Sequence, residues 1–205
     1  MSAYKSFKTK HISISLGNTK LGNIPQFNLP PRKSCPNCKH CSGIWDGHKY
    51  SCYADKALRM YPTVSKCWNR NLKACRKNLD NVYTDIVEYL QTSKPGWFRI
   101  HSAGDFYSQE YLDMWIRITK EFPDVRFLAF TKSFHLSFRS KPRNLKVIYS
   151  IMPTTPKAGV PRGSKAYAGP IPKTKQRVFE CPGNCETCAA CWNLRPNEHM
   201  HFLLH

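Results

Sequence analysis

Ten cysteines stand in this chain, and eight of them fall in two short stretches. The first holds Cys35, Cys38 and Cys41 at two-residue gaps, with Cys52 further along. The second holds Cys181, Cys185, Cys188 and Cys191. Two-residue gaps let successive thiolates turn inward on a tight loop and converge on one centre. Proline and glycine help such a loop fold back, so that backbone N–H groups can bond the sulfurs. Disulfides between near neighbours would close only small strained rings, and a reducing compartment disfavours them. Structural zinc uses four thiolates, so Zn2+ is one expectation. The repeated Cys-x2-Cys-x2-Cys triple resembles ferredoxin-type ligation more than the paired knuckles of zinc ribbons, which makes iron–sulfur clusters, of the 4Fe–4S kind, the leading one. One zinc site and one cluster is a third arrangement. Cys75 reads as a buried, inert thiol on an apolar helix face, and His40 as a solvent-exposed histidine.

The elements that must hold these loops are legible in the hydrophobic pattern. Residues 1–34 read as an extended basic lead-in, with turns at Gly17–Asn18 and Gly22–Asn23 and Pro30–Pro31 before the first cysteine. Residues 35–52 read as a polar loop. Val64, Trp68, Leu72, Cys75, Leu79, Val82, Ile86 and Leu90 recur at helical spacing, which predicts one long amphipathic helix from about Thr63 to Leu90, bounded by Pro62 and Pro95–Gly96. Trp97 to Ser102 predicts a short strand ending at Ala103–Gly104–Asp105. Ser108 can cap a helix running to about Phe122, with Tyr111, Leu112, Trp115 and Ile118 inward. Val125–Phe130 and Leu145–Ser150 predict two further strands. Residues 153–175 read as a loop, and His199, His201 and His205 as a mobile tail. Strand, helix, strand, connection, strand implies a parallel sheet. The expected fold is α/β, an open or partial parallel (β/α) barrel-like sheet with two cysteine-rich metal-binding loops. It forms a single domain over 1–205, with a cluster loop at 35–52, an α/β core portion at 97–150 and a second cluster at 181–192.

Ligands of parallel sheets bind beyond the carboxyl ends of the strands. Those ends carry His101 and Asp105, then Thr131 and Lys132, then Ser150. His101 and Asp105 are candidates for a general base and its orienting partner, and Lys132 for a grip on phosphate or carboxylate. Gly104 would allow close approach of a ligand, with Ser150 as a second cofactor-binding position. The plainer alternative is that Asp105 caps a turn and His101 is a satisfied buried histidine. Trp68, Arg70, Asn71 and the lysines from Lys73 to Lys77 could stack on bases or grip phosphates, or form a solvated helix face.

Charge narrows the partners. The formal net charge is +19 with neutral histidines. Two four-thiolate centres of about −2 each would still leave about +15, so nucleic acid or an anionic nucleotide is the expected partner. No apolar run approaches the ~20 residues of a membrane span, and no apolar leader follows the start, so the expected location is cytoplasmic with no membrane partner.

Several segments together resemble the phage-encoded family called gene product eighty-eight. They are Asn18-x-Lys20-Leu-Gly, Pro25-x-Phe27-Asn-Leu-Pro, Cys52-Tyr-Ala with Tyr61-Pro, Arg99-x-His101-x-x-Gly104-Asp-Phe, Phe130-Thr-Lys-Ser, and the run from Cys185 to Trp192. The resemblance covers about residues 14–192. It implies a phage or prophage origin, the host cytoplasm as setting, and a cysteine-rich protein whose chemistry leans toward modification of nucleic-acid bases. A looser resemblance is to radical SAM enzymes, whose Cys-x3-Cys-x2-Cys triad leaves one iron free for S-adenosylmethionine. Cys181, Cys185 and Cys188 match that spacing near the C-terminal end, whereas in that family the triad precedes the barrel. The first set has the right position and a different spacing. Two functions follow as expectations: an iron–sulfur, radical SAM-like enzyme acting on a nucleotide or base, or a zinc-stabilised nucleic-acid-binding protein without catalysis.

Overall fold

The computed structural model describes residues 5–156, 158–171 and 173–203. Its centre is one nine-stranded sheet built from β1 (Ser6–Lys8), β2 (Ser13–Ser15), β3 (Gln26–Phe27), β6 (Trp97–Ile100), β7 (Arg126–Thr131), β8 (Leu145–Ile151), β9 (Lys165–Ala168), β10 (Val178–Glu180) and β11 (His199–Phe202). The spatial order is β1-β2-β3-β6-β7-β8-β9-β11-β10. Pairing is antiparallel from β1 to β3 and parallel from β3 across to β10. The fold is therefore mixed α/β with a largely parallel sheet, and β1 and β10 remain as edges, so no barrel closes.

Side-chain alternation explains how the sheet is clad. Phe98, Ile100, Phe127, Ala129, Leu145, Val147 and Tyr149 face one side, where α2 (Pro62–Lys77), α3 (Leu79–Ser93) and α4 (Gln109–Glu121) bury Leu72, Val82, Ile86, Leu90, Leu112 and Trp115 against them. Trp97, Leu128, Phe130, Ile148, Ala166 and Met200 face the other side, beneath Leu21, Cys191, Trp192 and Leu194. The period of two makes every second strand residue available to each face. A third, smaller core of Ala54, Val64, Cys67, Trp68 and Ala103 seats α1 (Tyr53–Met60).

The three strands and the capped helix expected between Trp97 and Ser150 are present, and the Ser108 hydroxyl accepts from the Tyr111 N–H at 3.2 Å. Other expectations are corrected. The single long helix is two, because Asn78 turns extended and its side chain caps α3 by accepting from the Asn81 N–H at 3.1 Å. The lead-in supplies three strands. The loop at 153–175 contains β9, and His199 and His201 lie within β11 rather than in a tail; His205 lies outside the described residues. The stretch 35–52 contains a hairpin of β4 (Gly43–Trp45) and β5 (His48–Tyr50).

Trp68 and Asn71 are buried, not a base-stacking face. The Asn71 amide donates to the carbonyls of Ser13 and Asn28, each at 2.9 Å, and accepts from the Ser13 N–H at 2.8 Å, tying α2 to β2 and to the exit of β3. Arg70 spends its guanidinium on the carbonyls of Thr9, Lys10 and His11.

Candidate metal centres and the strand-end rim

The first cysteine set hangs over the carboxyl ends of β3, β6 and β7. Cys35 follows β3 in a loop fixed by the Ser34 hydroxyl, which donates to the Pro30 carbonyl at 2.7 Å. Cys38 and Cys41 bound a single 3-10 turn, and Cys52 sits just before α1, where its carbonyl accepts the Asp55 N–H at 3.1 Å. The thiols of Cys41 and Cys52 lie close enough to act on each other, and that pairing lowers the Cys52 thiol to about 6 against the opposing effect of burial and raises that of Cys41. Burial, followed by the nearby Asp105, pushes Cys35 up to about 12. Asn37 ties this loop to β7 by donating to the Lys132 carbonyl at 2.6 Å.

The second set lies against the sheet face away from the three long helices. Cys181 directly follows β10, and its N–H bonds the His201 carbonyl at 2.9 Å. Cys185 opens the short α5 (Cys185–Cys188), capped by Asn184, and Cys191 lies in α6 (Ala190–Asn193). Burial pushes Cys191 up to about 12, opposed by the positive charge of Arg99. A turn at residues 18–22 braces this loop. Asn18 accepts from the N–H groups of Lys20 and Leu21, each at 2.9 Å, and the Lys20 carbonyl then takes the Cys185 N–H at 2.7 Å. Gly22 stands at φ +59 where any Cβ would collide with Glu186. That bracing was hidden in the sequence, although Asn18 to Gly22 is among the segments that carry the family resemblance.

All ten cysteines are free thiols, so each set is gathered without a disulfide. Among the described residues, no three Cys, His, Asp or Glu side chains stand close enough together to enclose a metal ion as they are. The donor chemistry nonetheless suits one: four soft sulfurs per set, with backbone N–H groups and a cation nearby.

The remaining site candidates have defined partners. His101 is buried at φ +61, and its Nε2 lies 2.8 Å from the Tyr111 hydroxyl, while its Nδ1 has no partner. Burial, with the neighbouring Arg99, lowers it to about 3, so it is neutral near pH 7. Asp105 accepts from the Thr131 hydroxyl at 2.6 Å and from the N–H groups of Lys132 and Phe106 at 2.8 Å each. Asp105 thus latches the end of β6 to the end of β7, and the expected His101–Asp105 hydrogen bond is not formed. A Cβ on Gly104, at φ +89, would meet Leu29 at 2.6 Å, so the close approach there is made by the chain itself. Ser150 pairs with Ala166 inside the sheet, before the strand end. Lys132 is half-buried; burial works against its charge, but Cys41 and Asp105 outweigh that and raise its pKa.

Sequence reasoning passed over two residues. Arg99 interrupts an apolar strand, donating Nε–H to the His101 carbonyl at 3.1 Å and lying over the Phe130 ring at 4.1 Å. The Tyr53 hydroxyl donates to the Ser102 carbonyl, which brings α1 onto the same strand end. A lone arginine among Trp97, Phe98 and Ile100 was the available signal for the first.

Comparison with known proteins adds kinship. A family model described as Gene product 88 matches residues 5–177. The chain is 30% identical over 128 residues to the Gene 88 protein of Mycobacterium phage D29, covering 57% of this chain and 50% of that protein. It is likewise 30% identical over 131 residues to the Gene 88 protein of Mycobacterium phage L5, covering 57% and 51%. It thus spans about half the length of these curated relatives. No solved structure matches. Among the described residues no helix is long and apolar enough to cross a membrane.

Proposed function

The chain belongs to the gene product 88 family, and on that footing we propose that it is a two-centre iron–sulfur protein whose strand-end rim modifies a nucleotide or nucleic-acid base. The observation that carries this reading is the first cysteine set itself. Its thiols come from separate segments, the loop after β3, a 3-10 turn and the start of α1, yet Cys41 and Cys52 come close enough to act on each other at the carboxyl ends of parallel strands. That is where open α/β sheets bind what they act on. Cys35, Cys38, Cys41 and Cys52 would hold one centre, and Cys181, Cys185, Cys188 and Cys191 the other. An iron–sulfur centre supplies one-electron chemistry. The protein supports it by fixing the loop through Ser34, Asn37 and Asp105 and by lining the rim with Lys132.

The position of the first set, ahead of most parallel strands, is that of the triad in radical SAM enzymes, which makes S-adenosylmethionine a candidate co-substrate. The formal charge of +19 supports a polyanionic or nucleotide partner.

Anaerobic purification, iron, sulfide and zinc analysis, and a visible spectrum before and after dithionite test the proposal. Iron with matching sulfide and absorbance near ~400 nm that bleaches on reduction is the expected result. A colourless protein with about two zinc ions per chain would overturn it. One observation favours that second reading, a zinc-stabilised nucleic-acid-binding protein. Ile44 and Trp45, 73% and 37% exposed, lie on the β4–β5 hairpin opposite Lys49 and His48, so each face offers an apolar side chain beside a basic residue that a base could stack on.

A further inference from the structure

With Trp68 and Asn71 turned inward, the outer face of α2 is left with charge. The helix carries five Lys and Arg and no Asp or Glu. Its neighbour α3, packed beside it through Leu72, Cys75, Val82 and Ile86, carries three acidic residues and no Lys or Arg. Lys66, Arg70, Lys73 and Lys77 are all exposed, and their helical spacing sets them in one stripe. That ridge is roughly 16 Å long, with neighbouring positions about 5–6 Å apart. Hydrogen bonds extend it beyond the helix. Arg70 holds the carbonyls of Thr9, Lys10 and His11, which sets the exposed Lys10 beside it. Arg76 donates to the Lys33 carbonyl at 3.2 Å, two residues before Cys35. Asp85 reaches the Thr9–His11 turn from α3, but it is buried and accepts from the Thr9 hydroxyl and the His11 N–H. Among the described residues the ion pairs are His11–Asp85, Arg32–Asp55 and His201–Glu180, and none includes a cation of the ridge.

A row of like charges on a rigid helix repels itself, and a polyanion that docks on it relieves the repulsion while releasing its own counterions. We propose that the outer face of α2, from Lys66 to Lys77 with Lys10 and Lys33 at its flanks, is a docking surface for the sugar–phosphate backbone of a nucleic acid. The exposed positions of α2 hold Lys and Arg with Pro62 and Thr63 and no large apolar side chain, so the ridge suits phosphates rather than insertion into a lipid interface. Ammonium groups on flexible stems grip phosphates as point charges and do not read bases, so binding there is independent of sequence. The bond from Arg76 to Lys33 brings the C-terminal end of the ridge to the loop of the first cysteine set, and acidic α3 bounds the surface on its other side. The inference rests on the reading above for what lies at the rim and specifies its substrate, a polynucleotide held by its backbone rather than a free nucleotide.

Fluorescence anisotropy of the purified metal-containing protein with labelled DNA and RNA oligonucleotides of mixed sequence, at several salt concentrations, tests it. Lys66→Gln, Lys73→Gln and Lys77→Gln combined should weaken binding about tenfold or more and lower the dependence of log affinity on log salt by about 2–3. Gln matches Lys in helix propensity, so the melting temperature should not move. Arg139→Gln, Arg143→Gln and Arg162→Gln combined remove the same charge from exposed positions elsewhere and should leave affinity within about twofold. Equal weakening by both triple variants, or no binding of either oligonucleotide by the parent protein, overturns the proposal. Tighter binding to phosphatidylserine vesicles or to polyglutamate, lost with the same three lysines, also overturns it and assigns the ridge to a membrane or to an acidic protein. Iron content of the same samples separates this inference from the iron–sulfur reading. Protein without iron that binds oligonucleotide through the three lysines leaves the surface standing and overturns that reading alone. Iron-loaded protein that binds neither oligonucleotide overturns the surface alone.

Discussion

The two cysteine sets share a ligand chemistry and differ in what surrounds them. The first is carried on irregular chain at the strand ends, beside charged side chains and a hairpin whose apolar residues point outward. The second lies against the sheet, with Cys191 buried and Cys181, Cys185 and Cys188 half-exposed. Cys191, Trp192 and Leu194 are buried with Leu128, Ile148 and Met200, and Trp192 meets Trp97 edge to face at 5.0 Å between ring centres. If centres are bound as proposed, emptying the first would loosen a rim, whereas emptying the second would loosen the packing on one face of the sheet. Similar cysteine patterns therefore stand in unlike settings, one on irregular chain at the strand ends and one seated on an apolar sheet face.

The largest effect should come from comparing Cys188→Ser with Cys38→Ser. If the proposed centres are bound, the first should strip the centre seated on the sheet and cost roughly 4 kcal/mol or more of stability, because metal binding is then folding free energy. For a chain of this size that is a fall of about 8–16 °C in melting temperature. Cys38→Ser should empty its own centre and cost about 1–2 kcal/mol. Thermal melts with metal-to-protein ratios measure both, and equal losses would break the contrast. A smaller effect, confined to the rim, is expected from Asp105→Asn. Its amide would turn N–H toward the donors that the carboxylate now accepts, costing about 2–3 kcal/mol. Metal should then be lost from the first set and retained by the second; loss from both would mean the sets are not independent.

The smallest effect concerns a site remote from both. Burial raises the pKa of Asp85, but hydrogen bonds from the Thr9 hydroxyl and from His11 more than offset this and leave it depressed. A depressed carboxylate contributes stability that is complete above the unfolded value near ~3.9 and lost as pH falls through the lower folded value. Acid would also release a metal bound as proposed, since its ligands must be deprotonated. Asp85→Asn should cost about 1–2 kcal/mol at neutral pH and flatten the acid limb of the stability curve. Urea midpoints across pH would read this. An unchanged acid limb would assign the acid sensitivity to the metal centres instead.

Local patterns made much of the centre legible. Alternation found β6, β7 and β8, the hydroxyl of Ser108 marked the start of α4, and close spacing marked both cysteine sets. The rest depended on interactions that no local pattern carries. The apolar stripe runs without interruption through Cys75, Leu79 and Val82, so only the capping amide of Asn78 betrays the break between α2 and α3. β3 is two residues long, and β9, β10 and β11 are short segments among glycines and prolines, paired with strands far along the chain. Asn71 read as surface because it stands in a polar run, yet its amide replaces backbone partners for Ser13 and Asn28. Arg99 pairs with Leu128 in the register of β6 on β7, and its place over the Phe130 ring follows from that pairing, not from any local pattern.

The order of strands at the far side of the sheet has a consequence for how the chain assembles. β11 comes later in the chain than β10 and yet inserts between β9 and β10. Until β11 docks, β10 has no strand to pair with, and β9 presents a bare row of backbone donors and acceptors. Parallel pairing of this kind forms slowly, because a long connection must close before any ladder bond forms. That connection is the second cysteine loop. A centre bound there would shorten the search for β11, and cells starved of the metal would accumulate chains with an open strand edge, the form most prone to stick to one another.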